Sequence, residues 1–294
     1  MSGLNPRTQG VLLMALAMLI IPSVDGLAKH LSATYSPLMI GWVSFAASSL
    51  IVTPIAVRLH GPALLPQTQK WLHLLRLVFL LAAATMYFVA ISRIPLATAV
   101  SAYFIGPVVA ALLSVIVLKE QMTLAKGLSL ALGLAGAMVI LQPGVGPIEP
   151  GLILAFGSGV AYACFQVTTR RIAEAASPFQ TLAFQYLMGL VLLAPQAALN
   201  WTTPHVSDLW LFAAMGSCGV FAHVLSVLAF RRAEASTLAP LSYLELLGSA
   251  LIGYLAFGDT PGGSVVIGAA LIVSAGALLL PRRVVSPAPG TPAA

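Results

Sequence analysis

Charge is what this chain of 294 residues has least of: Asp, Glu, Lys and Arg together make up 7% of it. A soluble domain is roughly 25% charged, so this chain has almost nothing with which to solvate a surface. Only eight residues are acidic. They are too few and too scattered to build the Asp-rich or His/Glu constellations of membrane-embedded lipid-modifying enzymes and proteases, so no enzyme is expected. No phosphate-cradling glycine loop precedes a Lys-Ser/Thr pair, which leaves ATP-driven pumping by this chain unsupported. Neither the charged ring nor the filter loop of a channel is visible. Cysteine is scarce too: Cys164 and Cys218 both fall in apolar runs, and no disulfide, metal or cofactor is expected.

Apolar sequence is there in abundance. Hydrophobic residues make up 59% of the chain and the mean hydropathy is +0.98, as in an integral membrane protein. The net charge of +6 would point to nucleic acid in a soluble chain. Here the basic residues sit in short loops between apolar runs, where they orient a protein in membrane lipid, and no nucleic-acid partner is expected. A span needs roughly 20 apolar residues. Reading between Pro, Gly and charge clusters predicts ten: 10–31, 38–58, 71–91, 96–118, 124–141, 151–172, 179–199, 208–230, 236–257 and 264–281. The first lacks a small-residue cleavage site after it and is read as a retained helix. The Pro/Ala/Gly/Ser-rich tail, 284–294, is expected to be disordered.

The chain also repeats itself. At an offset of 141, Gly10 falls on Gly151, Ser36-Pro37 on Ser177-Pro178, and Pro54 on Pro195; near 139, Trp71 falls on Trp210, Arg93 on Arg232 and Glu120 on Asp259. Two units of five spans follow, residues 1–145 and 146–283. Five is odd, so the second unit enters the membrane from the opposite side. The expected fold class is all-α integral membrane, with ten transmembrane helices as two inverted five-helix repeats. That is the pattern of secondary transporters that hold substrate between their halves near mid-membrane. With a cytoplasmic N-terminus, twelve basic residues fall inside (Arg7, Arg58, Lys70, Arg76, Lys119, Lys126, Arg170, Arg171, Arg231, Arg232, Arg282, Arg283) and two outside (Lys29, Arg93). This bias puts both termini in the cytoplasm.

The chain resembles the drug/metabolite transporter superfamily, in its EamA-type branch. Gly106-Pro107, Leu118-Lys119-Glu120 and Gly127…Gly133…Gly136 carry the likeness, with Asp25, Lys29 and Ser36-Pro37 on the first helix and after it. Two positions depart from it: Leu246 stands in the slot matching Pro107, with Pro240 the nearest proline, and Ser44 stands where many members have Arg. The resemblance implies a bacterial inner-membrane carrier working by alternating access, through rocking or gating of its halves. It implies efflux of amino acids or amino-acid-derived compounds such as a metallophore, with import of a vitamin such as riboflavin as the alternative.

Ionisable groups inside a span face a cavity or a partner by default. Asp25 and Lys29, four apart on one helix face, are read as an outer gate or a docking point for a zwitterion, against a self-neutralised snorkelling pair. Their repeat matches are Gln166 and Arg170. Glu245 lies about 13 Å into its span, with no charge within a turn, and is a candidate for proton coupling or for binding a substrate ammonium. His223 is a second candidate proton carrier, against a packing role. Tyr87, Tyr103 and Tyr243 are assigned to the cavity, with Tyr162, Phe104 and Phe165 nearby, while Trp42, Trp71, Trp201 and Trp210 suit interfacial belts. Pro22, Pro107 and Pro240 are expected to kink their helices. Gly127/Ala131 and Gly133/Ala137 on the fifth helix allow close helix approach, either as packing within the bundle or as part of a homodimer face on the fifth and tenth helices.

Overall fold

Serine followed by proline starts two of the helices, and the local chemistry shows why. Proline at the first helical turn lacks only an N–H that would be unpaired there anyway. Ser177 caps the backbone N–H of Gln180, whose side chain returns to the Ser177 N–H, a complete capping box. Ser36-Pro37 opens its helix in the same place, without the side-chain bond. The computed structural model describes residues 5–91, 93, 102–141, 149–257 and 263–279. Among these residues there is no strand.

The longer helices are α1 (Pro6–Leu31), α2 (Pro37–His60), α3 (Lys70–Ile91), α4 (Gly106–Leu118), α5 (Leu124–Leu141), α6 (Pro150–Arg171), α7 (Pro178–Leu199), α8 (Leu209–Arg232), α9 (Leu244–Phe257) and α10 (Gly263–Leu279). Helices α1, α2, α3, α6, α7 and α8 are long and apolar enough to cross a membrane, and α4, α5 and α10 are apolar but shorter. Large apolar side chains cover the outside: Leu50, Ile116 and Leu124 are each more than 70% exposed. Water would not tolerate such faces, and lipid does. The chain is an all-helical membrane protein.

Two predicted spans are not single helices. Of the fourth, 96–118, residues 96–101 lie outside the described part, as do 280–281 and the tail 284–294; the remainder turns at Phe104 and Ile105 before α4 begins. Pro107 therefore sits in the opening turn of α4 and kinks no continuous helix. The ninth, 236–257, is broken into a single turn at Ala235–Leu238, a 3-10 segment at Ala239–Tyr243, and α9. Pro240 lies in the first turn of that 3-10 segment. Pro22 does lie inside α1.

The helices of the two units interleave. Helix α1 packs on α8 and α9, α6 on α3 and α4, α2 on α7 and α8, and α5 on α10. Exchanging each helix for the one five places along converts α1·α8 into α6·α3 and α1·α9 into α6·α4. The units are thus not two bodies lying side by side. Gly136 shows how close one pairing is: a Cβ there would lie 2.7 Å from the Gly268 carbonyl oxygen. Helices α5 and α10 pack on each other through Gly136, while Gly127 on α5 has nothing within 4 Å of where its Cβ would stand. Val11, near the start of α1, and Leu279, at the end of α10, bury in one cluster.

Candidate functional site

The two broken helices meet. The Phe104 and Tyr243 rings stack at 5.8 Å, and the Tyr243 hydroxyl donates to the Phe104 carbonyl, an acceptor that the turn leaves without a helical partner. Gly133 makes room, since a Cβ on it would stand 2.5 Å from the Tyr243 ring. Beside this contact a small cavity of about 10 Å³ lies between Tyr103, Phe104, Tyr162, Ser242 and Glu245. It has room for about one water. No solute fits until the helices part, because solute pockets are typically hundreds of Å³.

Around that cavity the predicted residues separate into groups. Asp25 of α1 and Glu245 of α9 act on each other electrostatically, and both act on Tyr87, Tyr103 and Tyr162. Asp25 retains exposed surface. What brings α1 and α9 together is Pro22 against Gly248, where a Cβ would stand 2.8 Å from the proline ring. Gln166 of α6 reaches the second of the broken helices, donating to the Ser242 hydroxyl at 3.3 Å. Tyrosines continue the wall, with Tyr103 5.3 Å from Tyr87 and 5.8 Å from Tyr162 between ring centroids.

His223 stands elsewhere, its Nδ1 2.9 Å from the Tyr186 hydroxyl. The side chain of Lys29 lies outside the described residues, so the predicted Asp25–Lys29 pair cannot be placed. Its repeat match, Arg170, donates to the Phe230 carbonyl at 2.6 Å and pairs with Glu120 at 3.5 Å.

Sequence reasoning placed Arg76 among the cytoplasmic loop charges, and the structure buries it within α3, 2% exposed. Its Nε donates to the Thr169 hydroxyl at 2.7 Å, and its guanidinium lies 4.5 Å above the Phe165 ring centre. The available signal was its position inside the 71–91 run, three residues after His73. Ser242 was also missed, and nothing in its apolar surroundings marked it beforehand.

The model of the EamA-like transporter family matches residues 8–142 and, a second time, 149–280. The chain belongs to the EamA-like transporter family. It is similar to an S-adenosylmethionine uptake transporter of Rickettsia prowazekii (strain Madrid E), 26% identical over 251 residues that cover 85% of each chain. It is also similar to a riboflavin transporter of Vibrio cholerae serotype O1, 24% identical over 273 residues and 90% of each chain. A solved crystal structure, 22% identical, shares the fold with a TM-score of 0.78 over 91% of this chain and 95% of its own.

The Leu118-Lys119-Glu120 motif has a mechanical role in this transporter. Lys119 adopts left-handed backbone, φ 57°, and ends α4. The chain then swings Glu120 onto the broken helix of the other repeat, where its carboxylate accepts the Ala235 and Ser236 N–H groups at 3.0 and 2.8 Å. Lys126 pairs with Glu234 and donates to the Gln121 carbonyl and the Ser236 hydroxyl. Together with Arg170–Glu120, these bonds shut the end of the bundle that holds the chain's N-terminus. Below them lies a basic recess of about 400 Å³, lined by Arg7, Lys126, Arg170 and Arg232 with Glu234.

Proposed function

We propose that this transporter is a ten-span secondary carrier, two inverted five-helix repeats in the bacterial inner membrane with both termini cytoplasmic. It moves a small metabolite bearing a cationic centre by alternating access. The observation that carries this reading is Glu245 lining a cavity with Tyr103 and Tyr162, on the helix that packs through Gly248 against Pro22 of α1, the helix that carries Asp25. Carboxylates in a water-poor aromatic enclosure attract an organic cation, and the ring faces add cation–π attraction and a stacking surface. S-adenosylmethionine has that chemistry, with a sulfonium, an ammonium and a flat adenine, and it is what the Rickettsia relative is named for taking up. Uptake is therefore preferred to the efflux implied by the family resemblance.

A riboflavin transporter is the second reading, favoured by the Vibrio relative and by the tyrosine walls. Riboflavin carries no cationic group, so it leaves the two carboxylates without a use. Purified protein in proteoliposomes separates the two. Saturable entry of labelled S-adenosylmethionine, not suppressed by riboflavin, is expected; riboflavin entry without S-adenosylmethionine entry would reverse the order.

The small central cavity and the bonds across the N-terminal end support a cycle in which solute enters from the opposite side. Its arrival would part the broken helices, and release would require the Glu120 and Lys126 bonds to open. Glu245, at the centre, is the group best placed to exchange a proton for the solute.

A further inference from the structure

A second polar cluster lies beside the aromatic wall, and its groups are short of partners. Arg76 is 2% exposed, and among the described residues no carboxylate stands within 4 Å of it. Its partners named above, the Thr169 hydroxyl and the Phe165 ring, are neutral. One turn back on α3, His73 is 1% exposed, with neither ring nitrogen bonded. On α7, Gln185 is fully buried, and neither its amide oxygen nor its nitrogen has a partner. These groups converge. Arg76 follows His73 by three residues on one face of α3, and the His73 ring lies 5.9 Å from Phe184, the neighbour of Gln185 along α7.

A cation with neutral contacts alone, flanked by unbonded polar side chains, is expensive inside a bilayer. A ligand bringing one negative charge would relieve it. We propose that Arg76, His73 and Gln185 form a buried anion subsite that takes the carboxylate of the transported solute. The fork of Arg matches a carboxylate in shape and charge. A phosphate would bring more negative charge than this single guanidinium balances. Gln185 adds a further distinction: its unbonded oxygen needs a donor, and the ammonium of an α-amino-acid head group supplies one beside the carboxylate.

The inference rests on the reading of the solute as carrying a cationic centre, and it extends that reading to an elongated α-amino acid. Phe165, under the guanidinium, stacks on Tyr162 at 5.6 Å, and Tyr162 belongs to the acidic centre. Arg76 and Tyr87 are eleven residues apart on α3, about 16 Å of helix rise. A solute with its carboxylate at Arg76 and a flat ring at the far end among Tyr87 and Tyr103 spans that interval, its cationic centre lying between the two and facing the acidic side.

The test uses the full-length protein in proteoliposomes and nanodiscs, with S-adenosylmethionine and its decarboxylated analogue as probes. Arg76→Gln should weaken S-adenosylmethionine about tenfold or more and leave the decarboxylated compound within about twofold, with Arg76→Lys intermediate. Gln185→Leu, which removes no charge and keeps the volume, should show the same discrimination more weakly and guards against a misfolded arginine variant. Equal losses for both probes, or none, would overturn the subsite. If neither probe binds the wild type, the proposed substrate is wrong, and thermal stabilisation by L-methionine, methioninol and acetate decides the subsite alone. Stabilisation by the two carboxylates, absent with methioninol and removed by Arg76→Gln, retains it; no stabilisation of the wild type by either carboxylate rejects it.

Discussion

Tyr243 donates its hydroxyl to the Phe104 carbonyl at 3.3 Å while the two rings stack, and at the 139-residue offset these two residues occupy the same place in their repeats. The breaks in the two discontinuous helices therefore hold each other shut. A break in a membrane helix is tolerated only where protein satisfies the freed backbone, and here one break serves the other.

That contact predicts a graded loss of stability. Tyr243→Phe keeps the stack and removes the hydrogen bond, a loss of about 1 kcal/mol. Gly133→Val forces a side chain into the tyrosine ring and should destabilise more, by about 1–3 kcal/mol. Thermal unfolding in detergent reads both, and a valine variant as stable as the wild type would mean that Tyr243 does not fill that space.

Asp25 and Glu245 should be separable by function. Asp25→Asn is expected to raise the KM for S-adenosylmethionine about tenfold, the loss of one charge-assisted contact of about 1.4 kcal/mol. Glu245→Gln is expected to abolish stimulation of uptake by an imposed pH gradient while exchange of internal for external solute persists. Unchanged pH-gradient dependence in that variant would remove Glu245 from coupling.

The shut end makes a prediction about access. Thr237 is 1% exposed and borders the basic recess. With Cys164 and Cys218 replaced by Ser, Thr237→Cys should react slowly with a water-soluble maleimide. Adding Glu120→Gln or Lys126→Met should speed the reaction about fivefold, as losing about 1 kcal/mol of closing contacts would do. Equal rates in all three backgrounds would show that these residues do not close this end.

Because Val11 and Leu279 share one cluster, reporter fusions at the two chain ends should register in the same compartment. In the proposed orientation that compartment is the cytoplasm. Reporters on opposite sides would require an odd number of crossings and would end the inverted-repeat proposal.

Much of this was readable along the chain. Helix starts at Ser36-Pro37 and Ser177-Pro178 follow from local capping chemistry, and α2, α3, α6 and α7 begin within a residue of their predicted spans. Asp25 and Glu245 could be singled out because an isolated carboxylate in an apolar run has few uses besides a site. Arg76 could not be placed, since by charge count it looked like one more anchor near a span end. Its role depends on Thr169 and Phe165, which the register of α3 against α6 brings to it from ninety residues away. The breaks at Phe104 and at Ala239–Tyr243 were equally hidden, because each is stable only against the other.

Composition and periodicity by themselves determined that the chain lives in lipid, that it is helical, and that its first unit recurs in its second. Those properties are sums over local residues: apolar run length, charge scarcity and helix capping. Tertiary packing alone decided that the repeats interleave, that two helices break where they meet, and that a buried arginine stands across an aromatic wall from two carboxylates. Such facts depend on which distant side chain fills the space or the hydrogen bond that another leaves open, and no local pattern encodes that.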